Sequence, residues 1–303
     1  MTLSAEDLEA RRAALESELG EPITVDGLTA KYRIFQRKKG HRHSTDDLLT
    51  AWYALEKSPP VPRALDLGTG IGTVGLLVLA GMPDDMQLTC VEAQDVSYRF
   101  LRENLRANDV ESRVVAIHGD LRHLALAPSA SRFPLVTGSP PYFDIAAGIV
   151  PADSQKAHAR FELRGDVGDY ARAAKRHLEP HGLFVLCFPW PQKVRALAAL
   201  RREGFTAITH RDVVPRTGLP PLFSLFACRI NPGDGAGAVD IGINPGGHTK
   251  AHHGINPGRE IGRDIEEAPF VVRHEDGSHT QAMHDVRARF GWPPSRGARG
   301  ARG

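Results

Sequence analysis

Ala64-Leu65-Asp66-Leu67-Gly68-Thr69-Gly70-Ile71-Gly72-Thr73-Val74-Gly75-Leu76 decides the fold. A short apolar run closes on glycines at alternate positions, and a helical apolar pattern follows directly, which predicts a buried strand, a tight turn and the start of a helix. Glycines at 68, 70 and 72 let the backbone turn sharply and let a ligand approach main-chain atoms. In open α/β sheets, ligands sit in the crevice beyond the carboxyl ends of the strands. A dinucleotide-binding turn has Gly-x-Gly-x-x-Gly, so that a pyrophosphate meets the helix N-terminus. Here an acid, Asp66, precedes the first glycine. A carboxylate at that point repels a pyrophosphate and attracts an ammonium group.

Outward from this stretch the pattern alternates. Strands are expected at 63–67, 87–91, 113–117, 134–137, 183–188, 207–214 and 222–230, and helices at 73–80, 96–108, 167–177 and 192–202. Such alternation predicts a mostly parallel seven-stranded sheet with helices on both faces, and the short link 215–221 makes the last strand antiparallel. Before residue 63, Ser4 and Asp7 predict a capped helix closing at Gly20, and 23–36 reads as a hairpin turning at Asp26-Gly27. A basic loop follows, Gln36-Arg-Lys-Lys-Gly-His-Arg-His43, ahead of a helix opened by Ser44 or Thr45. Arg37, Lys38, Lys39 and Arg42 are therefore candidate phosphate contacts. Residues 270–280 read as a closing hairpin with Asp276-Gly277 at its turn, and a helix is expected over 280–290.

The expected organisation is an N-terminal helix, hairpin and basic loop over 1–62, a core domain over 63–230, an insert loop over 231–262, a closing hairpin and helix over 263–293, and an Arg-Gly tail over 294–303. The insert repeats Ile-Asn-Pro-Gly three times and has no apolar face. Its histidines, His248, His252 and His253, lack a Cys or acidic partner at ligand spacing, so no metal is expected. The 303 residues carry a net charge of only +2, and no apolar run has membrane-spanning length. With no leader-like N-terminus and three well-separated cysteines in apolar strand contexts, buried free thiols and a cytoplasmic location are expected.

Each early strand ends in an acid. Asp66 ends the first, Glu92 the second, where it can accept from ribose hydroxyls, and Asp120 the third, where it can accept from an adenine amine. The fourth ends in Gly138-Ser139-Pro140-Pro141-Tyr142-Phe143. Two prolines make this loop rigid. Carbonyl and hydroxyl acceptors next to an aromatic face suit a planar amine.

On these residues the chain resembles class I S-adenosylmethionine-dependent methyltransferases of the Asn-Pro-Pro-Tyr amine-modifying group, and within them the bacterial tRNA(Val) adenine-N(6) methyltransferase family. The resemblance implies a Rossmann-like fold with S-adenosylmethionine as cofactor and RNA, tRNA in the first place, as partner. It maps Asp66, Gly68, Gly70, Glu92 and Asp120, with the adjoining Thr69, Ala93 and Leu121, onto cofactor contacts. Thr45 and Asp46 would approach the methionine end. Ser139, Pro140, Pro141 and Tyr142 would form the target-base site, Ser139 also bordering the cofactor, with Phe143 a further stacking face. Serine stands where the family has Asn or Asp, and it offers one hydroxyl acceptor. Ser-Pro-Pro-Tyr looks like the form in cytosine-N(4) methyltransferases, so cytosine competes with adenine as acceptor. A protein glutamine acceptor and a catalytically silent RNA-binding protein are the remaining alternatives.

Overall fold

A computed structural model describes residues 3–40, 42–127, 132–143, 155, 161–232 and 264–293. The insert beyond Pro232, with its three histidines, and the 294–303 tail lie outside the described residues. The chain opens with α1 (Ala5–Leu19). The Ser4 hydroxyl accepts from the Asp7 N–H at 3.1 Å and the Asp7 carboxylate accepts from the Ser4 N–H at 3.2 Å, the reciprocal cap expected from the sequence. Gly20 then closes the helix at φ +66°.

Strands β1 (Ile23–Gly27) and β2 (Arg33–Arg37) form an antiparallel pair in which Gly27 faces Arg33. The turn is therefore not at Asp26-Gly27, as the sequence suggested, but over residues 28–32. There the Thr29 hydroxyl accepts from the N–H groups of Lys31 (3.1 Å) and Tyr32 (2.8 Å). Gly27 serves packing instead. A Cβ on it would lie 2.4 Å from the indole of Trp292, so the strand has a glycine where the C-terminal segment crosses it. Helix α2 (Thr45–Lys57) follows, capped by Ser44 and Asp47.

The main sheet comprises β3 (Arg63–Leu67), β4 (Gln87–Glu92), β5 (Val114–His118), β6 (Phe133–Gly138), β7 (Leu178–Pro189), β8 (Phe205–Val214), β9 (Phe223–Ile230) and β10 (Ile265–Val271). Between them lie α3 (Thr73–Gly81), α4 (Asp95–Ala107), α5 (Val167–His177) and α6 (Lys193–Arg202), and α7 (Gln281–Arg289) ends the fold. The order across the sheet is β10-β8-β9-β7-β6-β3-β4-β5. Only β9 runs antiparallel to its neighbours, β7 and β8.

The sheet thus has eight strands rather than seven, because the segment expected as one arm of a closing hairpin joins its edge parallel to β8. Acids and a proline, Glu266, Glu267 and Pro269, hide this strand from an apolar pattern. The register slips between Glu267 and Phe270, where Pro269 has no N–H to give to the ladder. Glu267 holds the strand in place, accepting from the Tyr53 hydroxyl at 2.9 Å and pairing with Arg211 at 3.1 Å and with Lys57. The expected hairpin follows this strand: Arg273 bridges His279 around the Asp276-Gly277 turn, the His274 N–H donates to the Ser278 carbonyl at 2.9 Å, and the Thr280 N–H donates to the Val272 carbonyl at 3.1 Å.

Apolar side chains bury on both sheet faces. One layer joins Leu49, Leu76, Phe100, Leu101 and Phe270; the other joins Tyr170, Ala174, Leu200, Phe184 and Phe226. The β1–β2 pair is fixed to α4 by two asparagines. The Asn104 carboxamide accepts from the Phe35 N–H (2.7 Å), and the Asn108 carboxamide accepts from the Arg33 N–H (2.7 Å) and donates to the Arg33 carbonyl (2.7 Å). Four helix residues rise about 6 Å and two strand residues span about 6.8 Å, so the two spacings match. Asn104 also donates to the Ile71 carbonyl at 2.8 Å, linking the hairpin to the glycine turn.

Candidate functional site

Strand order reverses between β3 and β6, which opens a crevice at the carboxyl ends of β3, β4, β5 and β6. A cleft of about 990 Å³, its open mouth included, lies there, lined by the glycine turn, the strand-end acids Asp66, Glu92 and Asp120, and Ser139 and Pro141 of the loop after β6. Gly68, Gly70 and Gly72 adopt φ of +60°, +59° and +95°. At Gly68 the reason is double, since a Cβ would also meet the Tyr170 hydroxyl at 2.0 Å.

Asp66 is 1% exposed and both its oxygens are engaged inside the protein. They accept from the Thr69 hydroxyl (2.5 Å), the Gly75 N–H (3.0 Å) and the Thr137 hydroxyl (2.7 Å). Asp66 therefore braces the turn and ties β3 to β6. Burial pushes its pKa up. Glu92, at 8% exposure, accepts from the Gly70 N–H at 2.8 Å and the Gln94 N–H at 2.7 Å. Burial raises its pKa as well, partly offset by those backbone donors. Asp120 differs. Burial works against its ionised form, but hydrogen bonds from the Arg122 side chain (2.6 Å) and N–H (2.9 Å) outweigh it and hold the carboxyl below its ordinary value. Ala93 and Leu121, expected beside the cofactor, also border the cleft.

The residues at the start of α2 face different ways. Asp47 borders the cleft, together with Arg42 and His43. Thr45 instead lines a separate small recess with Val213, Pro215 and Phe223, and the Asp46 carboxylate accepts from the Ser44 hydroxyl. One residue along a helix is a rotation of about 100°, so the choice between adjacent acids depends on where the helix begins. Burial, and then the neighbouring Asp46 charge, pushes the Asp47 carboxyl well above its ordinary range.

Ser139 follows β6, and its hydroxyl accepts from the Cys187 thiol at 3.7 Å. Burial pushes that thiol up to about 12, so it stays protonated and able to donate. All three cysteines are buried and free. Pro140 and Pro141 are buried, Tyr142 is half-buried, and Phe143 is 40% exposed. The Tyr142 and Phe143 rings lie 4.6 Å apart, tilted by 57°.

The basic loop divides. Arg37 pairs with Glu21 at 2.6 Å and Arg42 with Asp26 at 3.0 Å, so both brace the hairpin. Lys38 and Lys39 are exposed. Tyr170, absent from the sequence-derived set, lies beneath both Gly68 and Gly138 and so beneath both sides of the cleft. Burial and the nearby carboxylates raise its pKa. No motif marks it, because it comes from a helix a hundred residues beyond the glycine turn. Among the described residues His210, Asp212 and Glu266 have ligand atoms within 4.8 Å of one another, but the Lys193 ammonium already bonds Asp212 at 2.9 Å and Glu266 at 2.6 Å. The charge a metal would bring is in place. Among the described residues no helix is long and apolar enough to cross a membrane.

Residues 48–150 match the Methyltransferase small domain. Together with the strand order and the glycine turn, this match makes the chain similar to class I S-adenosylmethionine-dependent methyltransferases. It resembles the bacterial tRNA1(Val) (adenine(37)-N6)-methyltransferases. It is 27% identical to that of Klebsiella pneumoniae over 59% of this chain and 71% of the relative. It is 29% identical to that of Aeromonas hydrophila over 56% of this chain and 69% of the relative. In fold it is similar to an Agrobacterium tumefaciens protein described as a predicted O-methyltransferase, with a TM-score of 0.56, 19% identity, and coverage of 82% of this chain and 98% of that one.

The residues fit the cofactor. Gly70 has nothing within 4 Å of where a Cβ would stand, which leaves room against the turn. The buried Glu92 and the half-buried Asp47 also border the cleft, and carboxylates there favour a ligand with hydroxyl or ammonium donors.

Proposed function

We propose that the protein methylates the exocyclic amine of a base in RNA, with adenine in tRNA as the acceptor. The observation that carries this reading is the Ser139-Pro140-Pro141-Tyr142 loop at the end of β6, with Ser139 and Pro141 bordering the cleft and an exposed aromatic face beside them. Bound S-adenosylmethionine supplies an electrophilic methyl group on a sulfonium. The chain's own residues do the rest. Glu92 accepts from the ribose, Asp120 from the adenine amine, and Asp47 meets the ammonium end. Asp66, Gly68 and Thr69 shape the turn.

On the acceptor side, Ser139 and the carbonyl of Pro140 hold the hydrogens of the target amine, and Tyr142 and Phe143 stack on the base. No strong base is needed: the amine nitrogen is the nucleophile, the new N–C bond would replace the methyl–sulfur bond and leave a neutral thioether, the surplus amine proton would pass to water, and alignment supplies most of the rate. The base must leave its stack to reach the cleft, so a loop or single-stranded site is the target. The names of the similar proteins support adenine in tRNA. Ser139, one hydroxyl in place of a carboxamide, weakens the hold on the amine without changing its chemistry.

The test is transfer to unfractionated tRNA, with mass spectrometry of the nucleosides. N6-methyladenosine is expected. N4-methylcytosine would move the acceptor to cytosine, and no transfer to RNA with transfer to protein would overturn the reading. Tyr142→Ala should cost roughly 1–3 kcal/mol of acceptor binding and leave cofactor affinity near wild type. Tyr142→Phe should be mild, because stacking uses the ring face.

A further inference from the structure

The two rings of the acceptor site stand on a loop, and a relay of long side chains fixes that loop. The Gln192 amide donates to the Tyr142 carbonyl at 2.8 Å. Its oxygen accepts from the Arg195 guanidinium at 2.9 Å. The same guanidinium pairs with the Glu162 carboxylate at 2.5 Å. The Glu162 N–H closes the circuit by donating to the Phe143 carbonyl at 3.0 Å. Phe161, next to it, bridges to Phe143 and packs its ring 5.4 Å from it.

Both carbonyls of the Tyr142-Phe143 pair are therefore engaged by one circuit, anchored at the start of α6. The orientation of the Gln192 amide follows from its partners, since a carbonyl takes only a donor and a guanidinium offers only donors. Fixing the two carbonyls fixes two peptide planes, and with them the directions in which both rings leave the backbone. The circuit touches neither the glycine turn nor the strand-end acids.

We propose that Gln192, Arg195 and Glu162 are positioning residues for the acceptor base, acting through the Tyr142 and Phe143 carbonyls. The proposal rests on the reading of Tyr142 and Phe143 as the base-stacking pair. The relay sets ring geometry before the acceptor arrives, so its loss weakens the hold on RNA and leaves the cofactor alone.

The experiment compares Gln192→Leu with Gln192→Glu. Leucine removes both amide bonds. Glutamate keeps, and strengthens, the Arg195 partner but turns an acceptor on the Tyr142 carbonyl. Both variants should raise KM for tRNA or lower kcat so that kcat/KM falls about tenfold, with S-adenosylmethionine affinity by calorimetry within twofold of wild type. Adding Gln192→Leu to Tyr142→Ala should cost less than Gln192→Leu costs alone, because only the Phe143 ring is then left for the relay to position. Arg195→Lys, which keeps charge but not the fork, should fall between wild type and Gln192→Leu.

Hydrogen exchange of the Glu162 amide gives a readout that needs no RNA, and its protection should drop in Gln192→Leu. Wild-type kcat/KM together with wild-type Glu162 protection in Gln192→Leu overturns the proposal, as does a Gln192→Glu variant that works normally. If wild-type enzyme transfers nothing to RNA while the Glu162 amide still loses protection, the relay stands and the RNA reading fails.

Discussion

The two sides of the cleft are built differently. On the cofactor side, carboxylates are buried and bonded directly to main-chain N–H groups and short hydroxyls: Asp66 to Thr69, Gly75 and Thr137, and Glu92 to Gly70 and Gln94. On the acceptor side, two partly exposed rings are held at a distance by long side chains, one of which, Arg195, is itself 40% exposed. The first arrangement cannot relax without leaving a buried polar group unpaired. The second can loosen at small energetic cost while losing alignment. Damage to the cofactor side should therefore appear in stability and affinity, and damage to the acceptor side in turnover.

Gly68→Ala should break the cofactor side most. It forces a left-handed residue at a cost of about 1–2 kcal/mol and drives a methyl into the Tyr170 hydroxyl. Cofactor binding should weaken at least tenfold by calorimetry. Adding Tyr170→Phe, which removes the nearest atom, should recover part of it. A single variant with normal affinity would show that the turn can shift.

Asp66→Asn comes next. An amide keeps only one oxygen for three donors, so about 2 kcal/mol of stability should be lost, read as a lower urea midpoint with unchanged slope. An unchanged midpoint would mean that the buried carboxyl is already protonated when folded.

The same burial gives a pH signature. Glu92 has a raised pKa, so without ligand the fold holds its proton more tightly than the unfolded chain does. Stability therefore declines as pH rises from the ordinary glutamate range through the raised value. Ribose hydroxyls donate to the ionised form, so cofactor binding should expel protons and strengthen across that same window. Calorimetry in two buffers of different ionisation heat measures this directly, and proton uptake would contradict it. The smallest effect should come from Lys38→Glu with Lys39→Glu. RNA affinity should fall modestly and its salt slope drop by about 1.5 units, whereas Arg37→Glu should destabilise the hairpin through Glu21.

The cofactor side was legible because its signal is local. A strand, three glycines and a helix lie within thirteen residues, and each acid ends a strand whose pattern is plain. Where glycine had another use, the same logic misled. Asp26-Gly27 has the composition of a turn, yet Gly27 makes room for Trp292, a contact between distant parts of the chain. That Asp47 borders the cleft turns on one residue of helical phase, and the place of Tyr170 beneath it exists only once α5 lies under the sheet. The edge strand β10 was hidden by Glu266, Glu267 and Pro269, which suit an exposed edge and mask a strand.

A two-stranded ribbon alone is marginally stable in water, and its open edge invites a strand from another molecule. The asparagine pair of α4 occupies that edge of β2 at Arg33 and Phe35 with side-chain amides. Helix α4 thereby stands in for a third strand. Replacing Asn104 and Asn108 with leucine would leave the helix intact and bare the ribbon, and the first symptom would be self-association of otherwise folded molecules rather than a lost reaction.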